Sequence, residues 1–189
     1  YLFFMGVGEF SIVNDSWNGK KVDYYVEPDY KSVAKDIFGT TPEMMTFFSE
    51  LTGIQYPWDK YSQIVVRDYV SGAMENTTAV VHGEGAQQKK GQLVDDNVWE
   101  GTIAHELFHH WFGDLVTTES WSNLTVNESF ATYSVYLWFA HKYGKDKADA
   151  NMFDDIQIYM QSQSEDKDLV RFFYEDKEDM FDTVSYHKG

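Results

Sequence analysis

The stretch Gly101–Asp114, GTIAHELFHHWFGD, places three of the chain's six histidines within six residues and lodges a glutamate between apolar neighbours. Asn97 can cap a helix here and Gly113 can end it, so the spacing predicts a helix over Asn97 to Trp111. At 100° per residue, His105 and His109 lie about 40° apart on one face and one turn apart. Both imidazoles can then reach a single ion at roughly 2.0–2.1 Å. Glu106, beside them, is badly placed as a third ligand but can lean over an open coordination position and accept a proton from water. His110 points off the shared face, which gives it packing or surface duty, and the isolated His82, His141 and His187 read as structural.

Residues His105 to His109 thus form the H-E-x-x-H arrangement of zinc peptidases. A catalytic zinc needs a third protein ligand while keeping one position for water, and Glu128 is the candidate. On one straight helix Glu128 would lie about 28 Å from His109, so the chain must reverse between them. Gly113-Asp114 and the polar LVTTESWSN that follows provide room for that reversal. A rival account stands beside this one: Thr125 and Glu128 also fit the S/T-x-x-E capping box, in which the glutamate satisfies a backbone amide at a helix start.

Composition narrows the class. With 189 residues, 43% of them hydrophobic and 17% aromatic, the chain can bury one core. Fifteen Lys and Arg face 31 Asp and Glu, a formal net charge of -16, so no basic stripe exists for a phosphate backbone and no nucleic-acid partner is expected. An amine-bearing ligand suits that field. Cysteine is absent, so a metal must be held by His, Asp or Glu. No run approaches the roughly 18 apolar residues of a membrane span, and the chain reads as soluble.

Along the chain, YLFFMGVGEFSIV and KKVDYYVEP are aromatic and β-branched and flank Asn18-Gly19, a hairpin-turn pair. TTPEMMTFFSELTG suits a short helix with Thr41 as cap, Pro42 in the first turn and Gly53 as stop. YSQIVVRDYV and TTAVVHG read as strands on either side of SGAMEN. After Gly91 the period changes to near 3.6, with helices expected at Asn97 to Trp111, Asn123 to Tyr143 and Asp146 to Gln163. The acidic stretch from Glu165 to Asp182 reads as solvated, with little core value. The expected class is α+β, strands first and helices after.

The chain resembles the aminopeptidase N-like zinc aminopeptidases. GAMEN at Gly72 to Asn76, HELFHHWFGDLVT from His105, NESFATY from Asn127 and SYHKG near the end carry the resemblance, in order, over about 115 residues. Eighteen residues separate His109 from Glu128, as the family pattern has it. The resemblance implies a thermolysin-like (gluzincin) catalytic domain, a mixed β-sheet followed by a mainly helical part. It implies one Zn2+ per chain held by His105, His109 and Glu128, Glu106 as general base, and Tyr186 donating its phenol to the oxyanion. GAMEN would act as an edge strand for the substrate backbone: Gly72, Ala73, Met74 and Asn76 would contact the peptide, and Glu75 would pair with its free N-terminal amine. Substrates would be peptides, cleaved at the first bond.

Two departures stand out. Ser129 occupies the place where the family usually has glycine, and Asn123-Leu124-Thr125-Val126 replaces a more Trp-rich lead-in. Family members also carry an N-terminal β domain and a long C-terminal helical region. Residues 1–189 therefore read as one catalytic segment, with 1–28 a lead-in that includes the end of the preceding β domain. It would contact those flanking domains and be weakly active or inactive alone. The rivals are a thermolysin-type endopeptidase, a non-catalytic interaction module that keeps the peptidase fold, and epoxide hydrolysis in the manner of leukotriene-hydrolase.

Overall fold

The computed structural model describes residues 3–162, 164 and 166–189, and the chain divides into two compact units, Tyr1–His110 and Trp111–Gly189. The first unit starts from a hairpin. β1 (Ser11–Trp17) and β2 (Lys20–Val26) pair antiparallel through Asn18 and Gly19, whose φ values of 46° and 78° are the left-handed pair that a two-residue turn requires. Pairing begins only at Ser11 with Val26. The strand expected from the chain start is therefore shorter: residues 3–10 lie outside the named strands, with Phe3, Met5 and Val7 exposed. The expectation at Tyr1 and Leu2 lies outside the described residues.

Two helices cross from β2 to the next strand. α1 (Ala34–Phe38) has only five residues, too few to display a helical period. α2 (Thr41–Thr52) has Pro42 in its first turn and stops at Gly53, left-handed at φ 70°. Thr41 is not its cap. The Thr41 hydroxyl donates to the Phe38 carbonyl at 2.7 Å and accepts from Gln63 Nε2 at 2.8 Å. β3 (Lys60–Val66) then runs parallel to β2, and β5 (Ala79–Gly83) parallel to β3. β4 (Ala73–Met74) pairs antiparallel with β5, giving the order β1-β2-β3-β5-β4 and leaving β4 at an edge. The chain is thus α+β with a mixed five-stranded sheet. Val22, Tyr24, Phe38, Phe48, Tyr61 and Val80 fill the core, with Tyr24 stacked on Phe38 at 5.5 Å.

A buried polar chain runs through this core. Trp99 Nε1 donates to His82 Nδ1 at 3.1 Å, so the His82 Nε2–H donates to Gln63 Oε1 at 2.9 Å, and Gln63 passes the chain on to Thr41. Burial drives His82 down to about 3, so it stays neutral. Trp99 also precedes α3 (Glu100–Phe108), which packs against α1, α2 and β4.

The second unit is helical. α4 (Thr125–Tyr143) and α5 (Lys145–Gln161) pack together and are joined at Gly144 alone, whose φ of 92° permits the break. Both match their expected spans to within two residues, and Gln163, the expected end of the last helix, lies outside the described residues. A π-helical turn, Val184–Lys188, packs on both. The acidic stretch before it is less inert than expected. Met180 is buried, and Asp182 takes both guanidinium nitrogens of Arg171, at 2.6 and 2.9 Å, and Lys167 Nζ at 3.0 Å. No helix among the described residues is long and apolar enough to cross a membrane.

Candidate metal centre

The helix that carries the histidine pair is shorter than its period suggests, for a local reason at each end. At the start, Asn97 Oδ1 accepts the Trp99 amide at 3.1 Å while its Nδ2 donates to the Ile37 carbonyl at 2.7 Å, so Asn97 anchors the entry loop and α3 begins at Glu100. At the end, the His110 amide turns to the Leu107 carbonyl at 3.1 Å and α3 stops at Phe108, with His109 still in helical geometry at φ -55°. The one-face arrangement survives. His105 Nε2 and His109 Nε2 lie 3.0 Å apart, their rings nearly perpendicular at 80°.

That spacing suits a metal. Two nitrogens bound at 2.0–2.1 Å in a tetrahedron stand about 3.3 Å from each other, so a small rotation of either ring admits an ion. The surroundings favour a cation as well. Glu75, Glu106 and His109 are each buried, and a carboxylate oxygen of each glutamate and a ring nitrogen of His109 all lie within 4.8 Å of one another. Two carboxylates brought that close, away from water, stabilise positive charge strongly. Glu75 arrives from the turn after β4, the edge strand whose Ala73 and Met74 pair with His82 and Val81. Gly72 and Asn76 flank that strand, and Gly72 accepts the Gly83 amide at 2.8 Å.

Two residues with no expected role in the site, Tyr69 and His110, join this cluster. The phenol of Tyr69 is pushed above its ordinary range, first by burial and then by the charges of Glu106 and Glu75. His110, read as packing or surface, is fully buried; it stacks on Tyr56 at 5.6 Å and meets Tyr61 edge-on at 4.9 Å. Burial holds its imidazole down at about 3, hence neutral. Its Nε2 accepts the Thr78 amide at 3.0 Å, so Nδ1 carries the proton and donates to the Glu106 carbonyl at 3.2 Å. Only adjacency to His109 could have flagged it.

The other expected residues belong to the second unit. Glu128 is buried in the first turn of α4, its amide on the Leu124 carbonyl at 3.0 Å. The capping box is not formed there. Leu124 occupies the cap position with no side-chain cap bond, and the Thr125 hydroxyl donates instead to the Leu169 carbonyl at 2.7 Å. Ser129, next to Glu128, donates to the Ser185 carbonyl at 2.7 Å, which ties α4 to the turn that holds Tyr186. The Tyr186 amide donates to the Asp182 carbonyl at 3.2 Å.

The family described as Peptidase family M1 domain matches residues 37–189. Endoplasmic reticulum aminopeptidase 2 of Bos taurus is 30% identical over 186 residues, 95% of this chain and 20% of its own length. Tricorn protease-interacting factor F2 of Thermoplasma volcanium is 36% identical over 139 residues, 72% of this chain and 17% of its own. Aminopeptidase M1 of Arabidopsis thaliana is 29% identical over 207 residues, 100% of this chain and 22% of its own. The chain spans about a fifth of the length of the curated relatives it matches.

Proposed function

The chain belongs to peptidase family M1, and from that premise we propose that it is the thermolysin-like catalytic segment of a zinc-dependent aminopeptidase, a hydrolase of the first peptide bond. His105, His109 and Glu128 hold one zinc ion per chain. The i, i+4 pair with its converging nitrogens and the burial of Glu128 in the first turn of α4 support that donor set. When bound, zinc supplies Lewis acidity: it polarises a carbonyl and brings the pKa of water toward neutrality.

The remaining work falls to the chain's own groups. Glu106 takes the proton of the attacking water on its carboxylate and returns a proton to the leaving amine. Tyr186 donates its phenolic O–H to the oxygen on which charge develops. β4, an edge strand, receives the substrate backbone by strand addition, with Gly72, Ala73, Met74 and Asn76 along the contact. Glu75 pairs with the free α-amino group, and segments flanking this chain contribute to the same site.

One observation carries this reading: Glu75, Glu106 and His109 are buried within 4.8 Å of one another. An amine held by Glu75 lies about one residue from a carbonyl in reach of Glu106, so only the first peptide bond is presented. An internal bond brings no ammonium to balance the buried carboxylate. The test compares the zinc-loaded protein on a short peptide with a free N-terminus and on its N-acetylated twin. Weak hydrolysis, confined to the free-amine peptide and reduced at least tenfold by Glu75→Gln, is the expected result. Equal cleavage of both peptides would mark an endopeptidase, and a chain that neither cleaves a peptide nor retains zinc would favour an interaction module.

A further inference from the structure

We infer that His110 is a positioning residue, an imidazole strut that joins the backbone of the general base to the turn that follows Glu75 and so sets selectivity for a free amine. The inference rests on the aminopeptidase reading and adds a residue to it.

The two ends of the strut meet backbone groups of separate segments. The carbonyl of Glu106 would ordinarily receive the amide four residues on, but that amide, of His110, goes to Leu107 instead. The His110 side chain, two positions past the end of α3, supplies Nδ1–H to the base's own carbonyl. At the far end stands Thr78, a β-branched residue at φ 65°, a conformation such residues hold only where the surroundings impose it. Three contacts do so: the amide donates to His110 Nε2, and the carbonyl accepts from the Ser62 amide at 3.0 Å and from Lys60 Nζ at 3.2 Å. The contacts on the carbonyl fix Thr78 to β3. The contact on the amide, 32 positions away in sequence, fixes it to His110, just past the end of α3.

Thr78 lies in the turn that leads from Glu75 to β5, which the Ala79 amide closes by bonding back to the Asn76 carbonyl at 2.7 Å. Glu75 therefore directly precedes a four-residue turn, Asn76–Ala79, whose third residue is anchored to the Glu106 carbonyl through one side chain. The ring cannot shift to adapt, since Tyr56 stacks on it, Tyr61 abuts it edge-on, and Trp58 Nε1 holds its carbonyl at 3.1 Å. Its length fixes the separation between the group that would hold the amine and the group that would activate water. A misplacement of about 1 Å at such a separation degrades a site strongly.

The experiment uses two zinc-binding probes on the zinc-loaded protein: leucine hydroxamate, and the same molecule without its amino group. Calorimetry gives both dissociation constants for the wild type, His110→Asn and His110→Gln, and amide hydrogen exchange reports Thr78. Asparagine keeps a donor toward Glu106 but falls short of Thr78, whereas glutamine offers an oxygen to the Thr78 amide. The preference of the wild type for the amino probe is expected to fall roughly tenfold in His110→Asn, with faster exchange at Thr78, and to be retained in His110→Gln. Affinity for the probe without the amine stays level in both, which a merely structural role would not produce. Retained preference in His110→Asn despite an exposed Thr78 amide, or lost preference in His110→Gln, overturns the inference. The second result decides alone should the asparagine variant not fold. A wild type without preference for the amino probe would instead count against the aminopeptidase reading itself.

Discussion

His105 Nε2 and His109 Nε2 stand 3.0 Å apart, so the two rings share either one proton or one cation. A cation that replaces the proton binds the folded chain and not the unfolded one. Zinc at about a thousand times its dissociation constant is therefore expected to stabilise the protein by about 4 kcal/mol, a rise of roughly 10 °C in Tm. Differential scanning fluorimetry with zinc and with a chelator checks this, and His109→Ala should abolish the shift.

Glu106 is buried beside the histidines and is assigned the proton transfer. Glu106→Gln keeps the shape and removes the base. The kcat for a free-amine peptide should fall about 10²- to 10⁴-fold while zinc content is unchanged. A variant that loses zinc as well would make Glu106 a ligand.

Asp182 organises the segment that presents Tyr186. Burial raises its pKa, but hydrogen bonds from Arg171 and Lys167 outweigh that and hold it below the ordinary carboxylate range. Its Oδ1 also accepts the amides of Val184 and Ser185, at 3.1 and 3.2 Å. Asp182→Ala strands the largely buried Arg171 and should cost roughly 3 kcal/mol locally, seen as faster hydrogen exchange over Thr183–Gly189 with the sheet unaffected.

His82 gives the fold a pH dependence of known sign. Its pKa is about 3 in the folded chain and near the ordinary 6.5 once unfolded, so the unfolded state binds the extra proton between those values. Stability from this group is present above pH 6.5 and is lost as pH falls toward 3, by at most about 1.4 kcal/mol per pH unit. Urea unfolding at pH 7 and pH 5 should show a smaller pH effect in His82→Leu than in the wild type, whatever that variant's absolute stability.

The parts of the molecule legible in the sequence are those set by near neighbours. The Asn18-Gly19 turn, the stop at Gly53 and the i, i+4 face of His105 and His109 depend on residues at most a few positions apart, and each stands as expected. Glu75 was singled out only through the resemblance that GAMEN carries, and the structure brings its carboxylate within 4.8 Å of ligand atoms of Glu106 and His109.

What the sequence hid is tertiary. Residues 3–10 have strand-like composition, yet a strand forms only where a partner is available, and pairing starts at Ser11. The length of α3 was overestimated because Asn97 and His110 spend their bonding groups on Ile37 and Leu107. The contact from His110 to Thr78 joins positions 32 apart, beyond any local pattern. Ser129 departs from the family's usual glycine, and its place becomes intelligible only through the bond to Ser185, 56 positions on.

The most direct test of the zinc assignment is metal content by plasma mass spectrometry, on the wild type and on Glu128→Ala, after zinc loading and exhaustive dialysis. About one zinc per chain in the wild type, with sharp loss in Glu128→Ala, is the predicted result. A wild type that retains no zinc, or a variant that holds it as tightly, would contradict the account.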